Sequence, residues 1–179
     1  MVGSYATLFL TYSGVPFWVA ALRGVAASSL AGLQMERIGY SPIRGAQDVA
    51  MLLISVAVTI FLENMGLLLF SPSSRPFMAP SFLNSALNFG ALRVNSVYII
   101  AIVVVCILLV FLTFFITRTD SSALMRAVSQ DMLASRLMGI NTNKVFMTAF
   151  GIGSLLAGVV GILWSARVGK IDPLMGFTP

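Results

Sequence analysis

Long uncharged apolar runs, separated by short polar connectors, dominate the pattern along the chain. The runs Val94–Thr117 and Val145–Ala166 contain no charged residue, and each exceeds the roughly 18 residues expected of a membrane-spanning helix. The run Val49–Phe70 is apolar apart from Glu63 and its neighbour Asn64. Length and the lack of polar alternation favour helices over strands, because a strand edge in lipid would leave backbone groups unpaired.

The first 35 residues are divided by the sequence Ser13-Gly14-Val15-Pro16, which predicts a turn. We therefore expect a partial helix over residues 1–12 and a full span over 17–35. Twelve helical residues rise only about 18 Å, whereas the apolar core of a bilayer is about 30 Å thick. A cleaved signal peptide is the alternative, but this segment lacks a basic start and a clear cleavage site. A chain that begins with a partial helix is expected to be a fragment of a longer protein.

The pattern as a whole predicts an all-α polytopic integral membrane helix bundle in one transmembrane domain, residues 1–179, incomplete at both ends. Its expected elements are the partial helix 1–12, spans 17–35, 48–70, 96–117 and 145–166, and a cytoplasmic helix 121–138.

The helix predicted over 121–138 is too polar to span a membrane. Leu124, Met125, Val128 and Met132 fall on one face at helical spacing, and Leu133 and Leu137 fall on the opposite face. Asp120 or Ser121 can cap its start, and Gly139 suits the left-handed position after its end. Two apolar faces predict a helix that packs on its own protein and also docks a partner, with a solvated loop helix as the alternative.

Composition supports the membrane assignment. Of the 179 residues, 58% are hydrophobic and only 9% are charged, whereas a soluble domain carries roughly 25% charged residues. The mean hydropathy is +0.96. The sequence has no His and one Cys, Cys106, so catalytic triads that need His and zinc sites built from Cys and His are excluded.

The charges indicate an orientation. The net charge is +5, but the Lys and Arg residues are spread over connectors rather than gathered on one face, so nucleic acid is not an expected partner. By the positive-inside rule, connectors 34–48 and 117–144 lie in the cytoplasm, while 71–95 and the C-terminal piece lie outside. Arg23 lies within a span and is expected to snorkel to the outer surface.

Small residues recur at the spacing of helix-packing faces, which lets helix backbones approach closely. One such set is predicted in span 17–35 and another in span 145–166: Gly24, Ser28 and Gly32, and Gly153, Ala157 and Gly161. The alternative is the general richness of membrane helices in Gly and Ala.

Four segments resemble the permease subunits of branched-chain amino acid ABC importers. Met35-Glu-Arg-Ile-Gly-Tyr-Ser-Pro-Ile-Arg44 resembles their E-R-x-x-Y-x-P-x-R connector, and Met125–Asn141 resembles their cytoplasmic loop. Ala149–Leu163 is similar to the helix that follows, and Ile171-Asp-Pro-Leu-Met-Gly-Phe177 to their I-[DN]-P-x-x-G-F motif. The resemblance covers essentially the whole chain, and it indicates a central portion of such a permease.

The resemblance implies roles for particular residues. The spacing Leu133-Ala-Ser-Arg-Leu-Met-Gly139 is similar to the E-A-A-x-x-x-G pattern of the coupling helix that contacts the ATPase. The residues implied in coupling are Leu133, Ala134, Ser135, Leu137 and Gly139. The expected translocation-path residues are Glu63, Asn64, Asp172, Pro173 and Gly176. Leu133 replaces the family's Glu, and Glu63 stands where Gln is common.

The resemblance also implies partners: a second permease subunit, two ATPase subunits that bind the ATP, and an external substrate-binding protein. This chain would hold no cofactor and no metal, would carry no catalytic residue, and would lie in the cytoplasmic (inner) membrane as a multi-pass protein. The alternatives are a permease for urea or small amides, a non-transporting membrane scaffold, and a membrane enzyme, for which only Glu63 and Asn64 offer polar groups inside the spans.

Overall fold

The structure, a computed structural model, describes residues 1–43, 48–70, 73, 75–77, 86–89 and 92–172. Within them, seven α-helices alternate with short turns and four short strands. In chain order these are α1 Val2–Tyr12, α2 Phe17–Met35, a π-helical turn Glu36–Tyr40, a 3-10 turn Ser41–Ile43, α3 Asp48–Phe70, β1 Arg75–Pro76, β2 Ala86–Phe89, β3 Leu92–Asn95, α4 Ser96–Arg118, α5 Asp120–Gln130, α6 Met132–Leu137, α7 Thr142–Val168 and β4 Lys170–Ile171.

The turn between α1 and α2 forms where the sequence Ser-Gly-Val-Pro predicts it. Gly14 has φ +81°, a conformation that residues with a Cβ rarely adopt. Its N–H donates to the carbonyl of Thr11 at 3.1 Å, and the N–H of Val15 donates to the carbonyl of Leu10 at 3.2 Å. This paired pattern ends α1 and reverses the chain into α2.

The centre of the bundle consists of α1, α2 and α7, which pack against one another. A Cβ on Gly24 would collide with the hydroxyl of Thr7, and a Cβ on Gly158 would collide with the hydroxyl of Ser28. Two serines of α2 also bond across to α7: Ser28 Oγ donates to the Ser154 carbonyl at 3.0 Å, and Ser29 Oγ to the Gly151 carbonyl at 3.2 Å. Close backbone approach and these bonds hold the two helices together.

The small-residue face of α7 differs from the predicted one. Gly153 and Ala157 are exposed, and a Cβ on Gly153 would meet no neighbour within 4 Å. The packed positions are Ser154, Gly158 and Gly161. A helix with small residues on several faces satisfies more than one spacing, so the sequence pattern alone could not select the face that meets α2.

One end of the bundle is closed by a short antiparallel pair of β1 and β4, in which Arg75 lies opposite Ile171. The N–H of Phe77 donates to the carbonyl of Gly169 at 3.0 Å. Beneath this pair lies the main cluster of buried apolar side chains: Tyr5, Leu8, Phe77, Ile162, Ala166 and Ile171. Strand β1 and the end of α7 therefore share one end of the molecule.

α3 and α4 lie on the outside of this centre and expose their apolar side chains. By length and apolarity, three helices among the described residues could cross a membrane: Val49–Leu69, Ser96–Arg118 and Thr142–Val168. The helix α2, over the predicted span 17–35, is not one of the three. Its Arg23 and its serines lower its hydropathy, and its small-residue face packs on α1 and α7 rather than on lipid.

The prediction of one continuous helix over 121–138 is wrong. The chain leaves the helical conformation at Asp131, which has φ −151° and ψ +109°, and this residue separates α5 from α6. The predicted cap at Asp120 or Ser121 is also wrong, because Thr119 is the N-cap residue of α5 and no side chain caps that start. An Asp whose carboxylate accepts from the next turn favours a new helix start over continuation.

Candidate functional site

The start of the connector between α4 and α7 is fixed to the end of α4 by two polar side chains. The hydroxyl of Ser122 donates to the carbonyl of Ile116 at 2.6 Å, and the guanidinium of Arg126 donates to the same oxygen at 2.9 Å. A helix ends with carbonyls that lack partners within the helix. Ser122 and Arg126 satisfy one of these, and α5 is thereby held in a defined orientation against α4.

The short helix α6 is capped at both ends. Oδ1 of Asp131 accepts from the N–H groups of Leu133 and Ala134, at 2.8 and 2.9 Å. At the other end Gly139 has φ +81° and donates to the Arg136 carbonyl at 3.0 Å. The predicted left-handed position of Gly139 is therefore confirmed. Capping at both ends compensates for the low intrinsic stability of so short a helix.

The outer face of α6 is an exposed apolar surface. Leu133 is 72% exposed, Leu137 89% and Met138 82%, and Ala134 is exposed beside them. We call Leu133, Ala134, Leu137 and Met138 the α6 patch. Apolar side chains this exposed on a capped helix are typical of a docking surface.

Two of the predicted coupling residues, Ser135 and Gly139, lie outside the α6 patch. Ser135 is 4% exposed and lies on the inner side of α6. It therefore cannot contact a partner without a rearrangement of α6. Gly139 follows the helix and ends it. Leu124, predicted to lie on the face packed within the protein, is 40% exposed, whereas Val128 of the same face is 7% exposed.

Glu63 and Asn64, the predicted path residues within a span, lie side by side on α3. Glu63 is half-buried. The amide of Asn64 donates to the carbonyl of Ile60 at 2.7 Å, a bond within its own helix. No hydrogen bond or ion pair of the described residues connects either side chain to another helix.

The third candidate, Asp172, lies directly after β4. Its carboxylate forms an ion pair with Lys170 at 3.5 Å. No polar contact in the described part of the chain brings it to Glu63 or Asn64. Pro173 and Gly176 lie outside the described residues.

An apolar groove of about 690 Å³ separates α3 from α2 and the π-helical turn. Met35, Ile38, Phe61 and Met65 are among its lining residues, and Gln34 adds a polar side chain. Glu63 and Asn64 do not line it. The π-helical turn beside it also carries Glu36, whose carboxylate is buried at 1% exposure.

A family model for the branched-chain amino acid transport system permease component matches residues 1–178. The chain belongs to this permease family. It is similar to the high-affinity branched-chain amino acid transport system permease protein BraD of Pseudomonas aeruginosa, with 34% identity over 191 residues, 99% of this chain and 62% of BraD. The resemblance stated from the four sequence segments is therefore confirmed.

Two further relatives come from Escherichia coli K12. The permease protein LivH is 29% identical over 192 residues, which cover 99% of this chain and 61% of LivH. The permease protein LivM is 28% identical over 195 residues, which cover 96% of this chain and 45% of LivM. This chain thus spans about three fifths of the length of BraD and LivH. No solved structure shows significant similarity to it.

Family membership and the apolar helices together identify a multi-pass membrane protein with an all-helical transmembrane fold.

The sequence did not predict three features of the site. It missed Asp131, although Asp is a preferred N-cap residue and gave a usable signal. It missed the bonds of Ser122 and Arg126 to α4, and the burial of Glu36, because no sequence period encodes contacts between separate elements.

Proposed function

We propose that the full-length protein is a permease subunit of an ABC importer for branched-chain amino acids. It would cross the cytoplasmic membrane, bind no cofactor of its own and carry no catalytic residue. A second permease subunit, two ATPase subunits that bind ATP and an external substrate-binding protein would complete the transporter. Support comes from family membership and from the similarity to BraD, LivH and LivM, which are permease proteins of branched-chain amino acid transport systems.

The observation that carries the proposal within this chain is the α6 patch. It lies in the connector between two membrane-spanning helices, α4 and α7, and its apolar side chains face away from the bundle. α5 contacts α4, and both α5 and α6 contact α7. A partner that pushes on α6 would thus act directly on the start of α7 and, through α5, on the end of α4. Displacement of such packed elements is a common way to bias two conformations.

The coupling role can be tested with one charged and one bulky substitution. Leu137→Asp places a charge at the most exposed position of the α6 patch, and Ala134→Trp enlarges it. Each variant of the full-length permease should insert normally but lose co-purifying ATPase and ATP-dependent uptake, by about tenfold or more for a disrupted anchor residue.

Ser129→Asp is the matched control, because Ser129 is exposed on the neighbouring α5 and its hydroxyl bonds only within its own helix. It should retain both the ATPase and uptake. If the Leu137→Asp variant and the Ala134→Trp variant both show parental uptake, α6 does not form the coupling contact.

The substrate class is tested by uptake in proteoliposomes that contain the full importer. Labelled leucine, isoleucine or valine should accumulate with ATP, and excess unlabelled leucine should compete. Accumulation of urea or a small amide instead would select the alternative permease, and no ATP-dependent accumulation together with no bound ATPase would select the scaffold.

We also propose that Glu63 faces a polar path or another helix in the assembled importer rather than lipid. A carboxylate at membrane depth costs about 2.5–3.5 kcal/mol, and Glu63 lies about 22 Å along α3 at 1.5 Å per residue. Asn64, Asp172, Pro173 and Gly176 remain proposed path residues on the family resemblance alone.

Glu63→Leu should reduce uptake or assembly, while Glu63→Gln, which keeps a polar side chain, should preserve assembly. The measurements are uptake rate and co-purification of the second permease subunit. Parental values for Glu63→Leu in both assays would leave Glu63 without the proposed role.

A further inference from the structure

The end of the bundle predicted to lie outside carries an arginine whose position no coupling or path role explains. Arg167 lies in the last turn of α7, and its guanidinium carbon is 5.3 Å from the ring centre of Tyr98 and 5.2 Å from that of Trp164. Tyr98 belongs to α4, so the arginine bridges the ends of two helices. Tyr98 and Trp164 are 46% and 40% exposed, as is typical of aromatic residues at a membrane interface.

Arg167 keeps its charge available for a ligand. Within the described residues no carboxylate pairs with it, because Asp172, the acidic residue next along the chain, pairs with Lys170. Contact with ring faces orients a guanidinium and leaves the donors at its edge free. The arrangement is therefore a pre-oriented cation at the membrane surface.

Directly beside this cation is an apolar groove of about 270 Å³ between α2, α4 and α7. Its lining includes Trp18 and Leu22 from α2, Ile100 and Val104 from α4, and Ala166, the residue before Arg167. No polar surface lines it. The groove lies where α2 and α4 begin and α7 ends, so its mouth is at the same end of the bundle as Arg167.

We propose that this is a binding site for an anionic phospholipid of the outer leaflet. The phosphate binds at Arg167, between Tyr98 and Trp164, and one acyl chain lies in the groove. An isolated apolar groove would accept any lipid chain, but the cation at its mouth adds a preference for negative headgroups. The bound lipid would join α4 to the α2–α7 pair at a place where α4 otherwise makes few protein contacts.

The test uses the full-length permease purified in detergent, with phosphatidylglycerol and phosphatidylcholine of identical acyl chains as probes. Native mass spectrometry should show several-fold more retained phosphatidylglycerol than phosphatidylcholine. Arg167→Gln should abolish this preference, and Arg167→Lys should restore part of it. Arg75→Gln is the matched control, since it removes a cation that lies at the same end of the bundle, in β1, and does not line the groove.

A second variant, Ala21→Leu, narrows the groove without changing charge, because Ala21 lines it. It should lower the retention of both lipids, and the lipid that is still retained should show the same preference for phosphatidylglycerol. Equal retention of the two lipids by the parental protein would overturn the proposal. An equal loss of preference in Arg75→Gln, or no bound lipid because a protein helix covers the groove, would also overturn it.

Discussion

At the scale of single residues, the central helices pack closely where a glycine leaves room for a side chain of the neighbouring helix. A Cβ on Gly158 would lie 2.9 Å from Cβ of Ser28 and closer still to its hydroxyl. Because Ser28 Oγ also donates to the Ser154 carbonyl, this side chain cannot turn away without losing the bond. Gly153, five residues earlier on the same helix, faces open space. A substitution at Gly158 therefore tests helix packing, and one at Gly153 tests helix propensity alone.

We therefore expect Gly158→Ala to destabilise the protein and Gly153→Ala not to destabilise it. Overpacking at a close helix contact costs about 1–3 kcal/mol, so Gly158→Ala should lower the thermal midpoint of the full-length protein by several degrees. Gly153→Ala removes a flexible residue from a helix and should be neutral or stabilising by about 0.5–1 kcal/mol. Thermal unfolding in detergent measures both. A drop of the same size in the two variants would mean that this face of α7 does not meet α2.

At the scale of elements, the sequence predicts the long helices far better than their contacts. Uninterrupted apolar runs and the turn at Gly14 are local signals, so α2 and α3 have the bounds expected from the pattern. Division of the connector into α5 and α6 depended on whether Asp131 would continue a helix or cap a new one. The apolar spacing on both sides suited one helix, and only the carboxylate contacts to Leu133 and Ala134 decided against it.

The sequence likewise predicts only part of the candidate site. The exposure of Leu133 and Leu137 follows from an apolar spacing that does not match the inner face. Ser135 looked equivalent to Ala134 as a small residue, yet it faces inward because two adjacent positions on a helix point about 100° apart. Contacts between distant segments, such as Arg126 with the end of α4, leave no periodic trace in the sequence.

Asp131 should be required to present the α6 patch. Asp131→Ala removes the acceptor for two N–H groups, and loss of an N-cap costs typically about 1 kcal/mol. In a helix of this length that is enough to populate disordered forms, so ATPase co-purification should fall. Asp131→Asn keeps an acceptor and should retain it. Asp120→Ala, which removes an acidic residue that makes no cap bond in α5, is the control, and an equal loss there would indicate a general charge effect.

At the scale of the whole molecule, different side-chain contacts mark the two ends of the bundle. Arg75 lies over the ring of Phe9 at 5.8 Å, Arg167 lies over Tyr98 and Trp164, and Lys170 pairs with Asp172. At the opposite end the ring of Tyr40 packs on Phe150 near the start of α7, at 4.9 Å between centres. The β1–β4 pair and this ring contact thus place β1 with the end of α7, and the π-helical turn with its first half, independently of the charge count.

This agreement of contacts and charges leads to a prediction about membrane orientation. The connector with Arg118, Arg126, Arg136 and Lys144 should be cytoplasmic, and the end with β1 and β4 should be outside. In a Cys106→Ala background, Ser73→Cys should react with a membrane-impermeant thiol reagent in intact cells. Gln130→Cys, exposed on α5, should react only after the cells are permeabilised.

Both residues are exposed, so a difference in labelling reports the side of the membrane rather than burial. Reaction of Gln130→Cys in intact cells would reverse the orientation. The α6 patch would then face away from any cytoplasmic ATPase, and Arg167 would lie in the inner leaflet. Labelling of both sites only after permeabilisation would place both connectors on one side, which is incompatible with α4 crossing the membrane once. Orientation therefore decides at once which leaflet supplies lipid to the groove and which compartment supplies the partner of α6.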